Sequence, residues 1–285
     1  MCASDRSHFC ASHILNLQPA AGRTLPVDPE INSKQGGRTG NTGQHLGSWY
    51  RRPAKKNDVK AWLQKEWCIA TPSAEYVQRM EDVLEVYKRP YNKKEPVVCL
   101  DEANRQLVDE ILTPRPVQKG QAALYDYEYV RNGAANLFMM FEPLVGRREV
   151  KVTERRTGKD FAGCLKELAE KQYPDAEKTV LVMDNLNTHT LASLYAAYEP
   201  EAALRLAQRF EIHFTPKHGS WLNMAELEIG VMSRQCLKRR MATIEKMASE
   251  VQAWVTERNN RRTTVHWQFT TADARIKLRH LYPKF

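Results

Sequence analysis

No apolar stretch in this sequence approaches the ~20 residues that a helix needs to cross a bilayer, so no segment reads as a transmembrane helix. The N-terminus, Met1-Cys2-Ala3-Ser4-Asp5-Arg6, leads into no apolar signal-peptide core. The expectation is a cytoplasmic, nucleoid-associated protein. There is no Cys-x-x-Cys pair, although six cysteines are present. Cys99, Cys164 and Cys236 sit within apolar patterns and read as small buried hydrophobes. Cys2, His8, Cys10 and His13 match no common zinc-ligand spacing. No Gly-x-x-x-x-Gly-Lys loop cradles nucleotide phosphates and no Gly-x-Ser-x-Gly elbow presents a serine. His218-Gly219-Ser220 comes with no identifiable base or orienting acid. No internal repeat stands out.

What is present is a surplus of positive charge and a large apolar fraction. Lys and Arg number 43 against 34 Asp and Glu, a formal charge of +9 that favours a polyanionic partner. An anionic membrane surface would use the same charge. Hydrophobic residues make up 42%, enough for one large core. They are unevenly spread. Residues 1–55 include the glycine-rich run Ile31-Asn32-Ser33-Lys34-Gln35-Gly36-Gly37-Arg38-Thr39-Gly40 and read as a polar, disordered leader. Residues 56–92 form a linker region, in which Tyr76, Val77, Met80, Val83, Leu84 and Tyr87 recur at helical spacing behind Pro72-Ser73.

From Pro96 the texture alternates between strand and helix. The patterns predict strands at 96–101, 134–142, 148–156, 179–184 and 210–215. Helical patterns fall at 160–172, at 188–208 with an interruption at Pro200, from near Ser220, and through Ile244, Met247, Val251 and Trp254. This is the order of a ribonuclease H-like fold, and a generic three-layer α/β domain is the alternative.

Three acids stand out within it. Asp101 closes the apolar run Val97-Val98-Cys99-Leu100, and Asp184 closes Val180-Leu181-Val182-Met183, so both are expected at strand ends. Glu226 lies on the helix after the turn Lys217-His218-Gly219-Ser220. Carboxylates supply hard oxygen ligands suited to Mg²⁺ or Mn²⁺. Two such ions about 4 Å apart can activate an attacking oxygen and stabilise a leaving one at phosphorus. Either aspartate alone also reads as an ordinary strand-end or capping residue, so the inference rests on the set. Glu228 competes with Glu226: around a buried stripe of Leu222, Ala225, Ile229, Met232 and Cys236 the two flank almost symmetrically, and periodicity leaves both open. Glu102 points to the face opposite Asp101 and reads as a solvated or salt-bridged surface acid. His189 is placed to orient a phosphate, a water or a carboxylate, or to serve as a loop hydrogen-bonder. Trp221 reads as a core anchor or a base-stacking platform.

Leu100-Asp101-Glu102, Met183-Asp184-Asn185-Leu186-Asn187-Thr188-His189 and Pro216-Lys217-His218-Gly219-Ser220-Trp221-Leu222-Asn223-Met224-Ala225-Glu226 resemble the three catalytic motifs of DDE transposases. More narrowly they are similar to the bacterial insertion-sequence branch of the mariner-like superfamily, the insertion-sequence 630 family. Val231-Met232-Ser233-Arg234-Gln235-Cys236-Leu237 and the ending Trp267-Gln268-Phe269-Thr270-Thr271-Ala272-Asp273-Ala274-Arg275 resemble that family too. The resemblance implies a ribonuclease H-like catalytic domain over residues 93–285, a central mixed five-stranded sheet flanked by helices with C-terminal helices added. It implies two Mg²⁺ (or Mn²⁺) ions held by Asp101, Asp184 and Glu226, and so selects Glu226 over Glu228. It also implies cleavage at the ends of a mobile element, joining of the freed 3′-hydroxyl to target DNA, and a homodimer when active. Lys238, Arg239, Arg240, Arg258, Arg261 and Arg262 are candidate DNA contacts, with a solvated helix face as the alternative. His189 and Asn223 are candidates for DNA binding or support. The leader does not resemble the helix-turn-helix modules with which such proteins begin. This suggests a catalytic half with a separately encoded DNA-reading partner, or a decayed copy. Two other readings remain: a silent remnant that inhibits a full-length transposase, and a structure-selective nuclease.

Overall fold

The computed structural model describes residues 73–186 and 189–283. The expected leader, the linker as far as residue 72, and Asn187 and Thr188 of the second motif lie outside the described residues, as do Cys2, His8, Cys10, His13 and Cys68. Helix α1 (Ala74–Tyr87) starts where Ser73 accepts a hydrogen bond from the Tyr76 amide, and it buries Met80, Val83, Leu84 and Val86. That is the face its apolar spacing requires.

Five strands follow: β1 (Val97–Glu110), β2 (Tyr129–Glu142), β3 (Arg147–Thr153), β4 (Thr179–Met183) and β5 (Phe210–Phe214). They make one sheet in the order β3-β2-β1-β4-β5. The pairs β1–β2 and β2–β3 are antiparallel, whereas β1–β4 and β4–β5 are parallel. This is the ribonuclease H-like arrangement expected from the element order. Alternate residues of the central strands face opposite cores. Cys99, Leu137, Met139, Phe141, Val180 and Val182 face one layer, while Val98, Leu100, Phe138, Met140, Leu181 and Met183 face the other.

The second layer is built from α2 (Gly158–Glu167), a π-helical turn (Leu168–Gln172), α3 (Ala192–Ala197) and α4 (Pro200–Ala207). The first holds α1, α5 (Met224–Gln235), α6 (Ile244–Asn260) and α7 (Thr271–Lys277). Pro200 divides the 188–208 helical pattern by occupying the first turn of α4, where a missing N–H costs nothing. Cys99, Cys164 and Cys236 are buried, as their apolar surroundings suggest.

The end of β1 and the start of β2 depart furthest among the strand boundaries from the sequence expectation, and the first changes the reading of a key acid. β1 runs on to Glu110, so Asp101 is inside the strand rather than at its end. β2 begins at Tyr129 rather than 134 because the β1–β2 pairing continues to Glu110 and Tyr129 as a two-stranded ribbon, with a bulge between Gln106 and Val108. The last β1–β4 pair is Cys99 with Val182, and beyond it no strand among the described residues pairs with β1 on that side. β1 goes on past the apolar run, so the polar residues there do not mark the end of the strand.

The start of α2 is fixed by a capping box. The Thr157 hydroxyl accepts from the Asp160 amide, and Asp160 Oδ2 accepts from the Thr157 amide at 2.8 Å. Thr157→Ala is expected to cost about 1 kcal/mol, lowering the melting temperature by roughly 2–4 °C for a domain of this size, with Thr157→Ser close to wild type. An unshifted melting curve for the alanine variant would show that this cap contributes nothing.

Candidate active site

The β1–β4 register brings the two aspartates together. It pairs Cys99 with Val182, and continued two residues along each strand it sets Asp101 beside Asp184. Asp101 shares the face of Cys99, toward the layer that holds α5, since side chains two apart on a strand share a face, and Asp184, just past the end of β4, lines the same pocket. The strand continuation thus brings together acids that lie far apart in sequence.

The third acid arrives by a compact turn. After β5 the chain folds through Pro216, Lys217, His218 and Gly219, closed by a 2.8 Å bond from the Gly219 amide to the Pro216 carbonyl. A β-carbon on Gly219 would lie 2.5 Å from Pro216 Cγ, so only glycine fits. His218 takes φ of 65°, the left-handed region that a non-glycine residue seldom occupies. A short 3₁₀ turn (Ser220–Leu222) leads to Asn223, which caps α5 by accepting from the Ala225 amide at 3.0 Å. The Asn223 Nδ2 donates to the Leu100 carbonyl at 2.9 Å. The first turn of the helix bearing Glu226 is thereby fastened to the residue before Asp101. Asn223 is buried, and its two hydrogen bonds tie the start of α5 to β1.

Asp101, Asp184 and Glu226 line one pocket of about 300 Å³ with Glu102, Thr215, Ser220, Asn223 and Ile229. Burial raises the Asp101 carboxyl to about 7, and the charges of Asp184 and Glu226 add to the rise. The Glu102 amide, which donates to Asp101 Oδ1 at 2.8 Å, and His189 pull the other way. The three carboxylates are therefore near enough to repel one another. The donor set is all hard oxygen and fits a divalent cation such as Mg²⁺ or Mn²⁺. The carboxylates do not close into a tight cluster: among the described residues no three acidic, histidine or cysteine side chains converge on a single ion position. Like charges have no reason to approach further by themselves.

Glu228 has a separate task. It is buried, and its Oε1 accepts from Arg148 Nε at 2.6 Å and from Arg258 Nε and Nη2 at 3.0 and 2.9 Å. Periodicity left the two glutamates symmetric because the buried stripe of α5 includes Met224 and Glu228 themselves. A charged residue in that stripe is invisible to a hydrophobic pattern.

Glu102 is salt-bridged, one of its two expected states, but it is not a surface acid. It does face away from Asp101, but its side chain is only 4% exposed. His189, also buried, stands between Glu102 and Asp184, its Nε2 2.7 Å from Glu102 Oε1 and its Nδ1 2.5 Å from Asp184 Oδ1. Phe161 stacks on the ring with centroids 4.8 Å apart. Burial works against a protonated imidazole, yet the hydrogen bonds and charges of Asp184 and Glu102 outweigh it and raise His189 to about 9. Strand alternation, which puts Glu102 on the face packed by α2, was the only sequence signal for this link.

The candidate DNA contacts separate into three groups. Arg258 is held by Glu228 and lies over Trp254, and Arg240 pairs with Glu110 at 2.6 Å while donating to the Glu128 and Asp126 carbonyls. Arg239 pairs with Glu250 and Arg261 with Glu257, both with most of the side chain exposed. Lys238 and Arg262 are exposed and make no ion pair among the described residues. Trp221 stacks with Trp267 and meets Phe269 edge-on, and its Nε1 donates to the Tyr76 hydroxyl at 3.3 Å. It anchors the turn to the core.

A family model described as DDE superfamily endonuclease matches residues 96–248. Among solved structures, the chain is similar to the Mos1 mariner paired end complex with Mn at 16% identity and a TM-score of 0.45, covering 80% of this chain and 65% of that one. It is also similar to the Mos1 strand transfer complex, at 13% identity and a TM-score of 0.45 over 76% of this chain and 64% of that one. The chain thus spans 65% or less of the length of these two structures. No curated protein matches it.

Proposed function

The chain belongs to the DDE superfamily endonucleases, and we propose that it is a transposase that cuts double-stranded DNA at the ends of a mobile element and joins the freed 3′-hydroxyls to target DNA. The observation that carries this reading is the gathering of Asp101, Asp184 and Glu226 at one pocket from β1, the end of β4 and the first turn of α5. Acids on rigid elements are what phosphoryl transfer needs, because such catalysis is mostly positioning and charge stabilisation. The three motifs quoted above support the narrower placement in the mariner-like insertion-sequence branch, with a catalytic domain over residues 93–285.

Asp101, Asp184 and Glu226 would hold two Mg²⁺ or Mn²⁺ ions. Bound there, divalent cations supply Lewis-acid activation of the attacking oxygen and neutralise charge on the leaving one. Asn223 holds the Glu226 helix against β1, and the turn closed at Gly219 sets the distance between β5 and that helix. Lys238 and Arg262, exposed and unpaired among the described residues, are the best placed of the basic candidates to meet phosphate, whereas Arg240 and Arg258 are committed to internal partners. The working form is a homodimer on paired DNA ends.

Purified protein is expected to nick supercoiled plasmid in Mn²⁺ or Mg²⁺, with all nicking lost in excess chelator and restored by added metal. Folded protein that leaves the plasmid intact in both metals would overturn the endonuclease reading for this chain.

A further inference from the structure

We propose that His189 is a positioning residue that aims the Asp184 carboxylate into the pocket, with Glu102 as the acid that holds the imidazole in place. The inference rests on the reading of Asp184 as a metal ligand and deepens it. Three observations carry it.

The first is the two-sided grip on the ring. His189 Nδ1 meets Asp184 Oδ1 at 2.5 Å and its Nε2 meets Glu102 Oε1 at 2.7 Å, so both nitrogens are engaged and the ring cannot flip without losing both contacts. Phe161, stacked on the ring, removes the remaining freedom of tilt.

The second is the origin of the parts. Glu102 directly follows Asp101 on β1, and Asp184 directly follows β4. Through His189 one strand supplies a pocket acid toward one face and the support for the neighbouring strand's acid toward the other. Asp184 lies just past the last hydrogen-bonded residue of its strand and has no ladder to fix it. An outside restraint is what such a residue lacks, and the imidazole supplies it. With Oδ1 committed to His189, Oδ2 remains for a ligand.

The third is an unspent polar atom. Glu102 Oε2 is buried without a hydrogen bond, and Arg156 Nη1 stands 3.7 Å away. A burial this costly is retained where it does something beyond packing, and fixing the imidazole is the task the geometry shows.

Outer groups of this kind typically change metal affinity by about 10- to 100-fold when removed. The test is Mn²⁺ affinity of the full chain without DNA, measured by calorimetry or by loss of the free-ion electron paramagnetic resonance signal, with nicking followed in parallel. His189→Asn keeps an amide donor near the Nδ1 position and so retains the hold on Asp184. His189→Gln keeps one near Nε2 and retains only the hold on Glu102. The expected result is a loss of Mn²⁺ affinity of about 10- to 100-fold for His189→Gln, clearly smaller for His189→Asn, with nicking by both restored at high Mn²⁺. Equal losses in the two variants would mean that the ring only fills space, and no loss in either would mean that Asp184 needs no support. Either result overturns the proposal. Should neither variant fold, Glu102→Gln decides: weaker Mn²⁺ binding supports the proposal and wild-type binding overturns it. Failure of the underlying reading looks different, because Asp184→Asn would then bind Mn²⁺ as tightly as wild type.

Discussion

Asp184→Asn is expected to lower nicking of supercoiled DNA by about 10³-fold or more, roughly 4 kcal/mol of transition-state stabilisation, while leaving the melting temperature within a few degrees of wild type. The substitution keeps the size and one oxygen of the side chain but removes the charge that a hard cation requires. Asp184 lies past the end of β4 with its side chain about one-third exposed, so no packed core depends on it. The Asp101 carboxyl, raised chiefly by burial and further by the charges of Asp184 and Glu226, should come down only in part once one of those charges is gone. Relief of that repulsion favours the fold slightly. Glu226→Gln is expected to behave in the same way, whereas Glu228→Gln should lose stability first. Cleavage by folded Asp184→Asn within tenfold of wild type would sink the assignment of Asp184 as a ligand.

Much of this arrangement was legible in the sequence because strand and helix periods are local. The run Val180-Leu181-Val182-Met183 is fully buried and needs no partner to be recognised. The apolar spacing of α1 and the Pro200 break between α3 and α4 were equally plain. What stayed hidden depends on who sits beside whom. The continuation of β1 past Asp101 has a wet edge and alternating exposure, so no apolar run marks it. The Glu102–His189–Asp184 chain spans two strands and a loop, and only the β1–β4 register predicts it. Arg258 reads from sequence as a basic residue on a helix face, and its buried partner Glu228 is 30 positions away. The choice between Glu226 and Glu228 was open to periodicity for the same reason. Within the fold, the pairing of Glu228 with Arg148 on β3 and with Arg258 separates it from Glu226, which lines the pocket.

Arg148 carries the second large effect. Arg148→Met is expected to destabilise the fold by about 3–5 kcal/mol, a fall in melting temperature on the order of 10 °C for a domain of this size. The side chain is fully buried, with its guanidinium carbon 4.5 Å from the Phe141 ring centroid. Its donors are spread over three partners: Nε to Glu228 at 2.6 Å, Nη1 to the Gly146 carbonyl at 2.7 Å and Nη2 to the Thr263 carbonyl at 2.8 Å. Burial holds Arg148 below the usual guanidinium range, and the hydrogen bond and charge of the Glu228 carboxylate offset only part of that fall. Taking the arginine away strands a buried carboxylate with Arg258 as its one remaining cation and leaves two carbonyls without those donors, which is costlier than never having had the pair. Arg148→Lys should fail to rescue, since one ammonium cannot reproduce a planar fork that reaches three partners. Replacing both members, Arg148→Met with Glu228→Leu, should recover part of the loss, because an apolar contact has no charge to desert. The same pair also fixes how α5 is rotated about its axis. Glu226 and Glu228 are two residues apart on that helix, about 200° around it, so a Glu228 held inward by β3 leaves Glu226 free to face the pocket. If Arg148→Met instead melts within about 1 kcal/mol of wild type, the pair is dispensable for the fold and the orientation of α5 comes from its apolar stripe and the Asn223 link to β1.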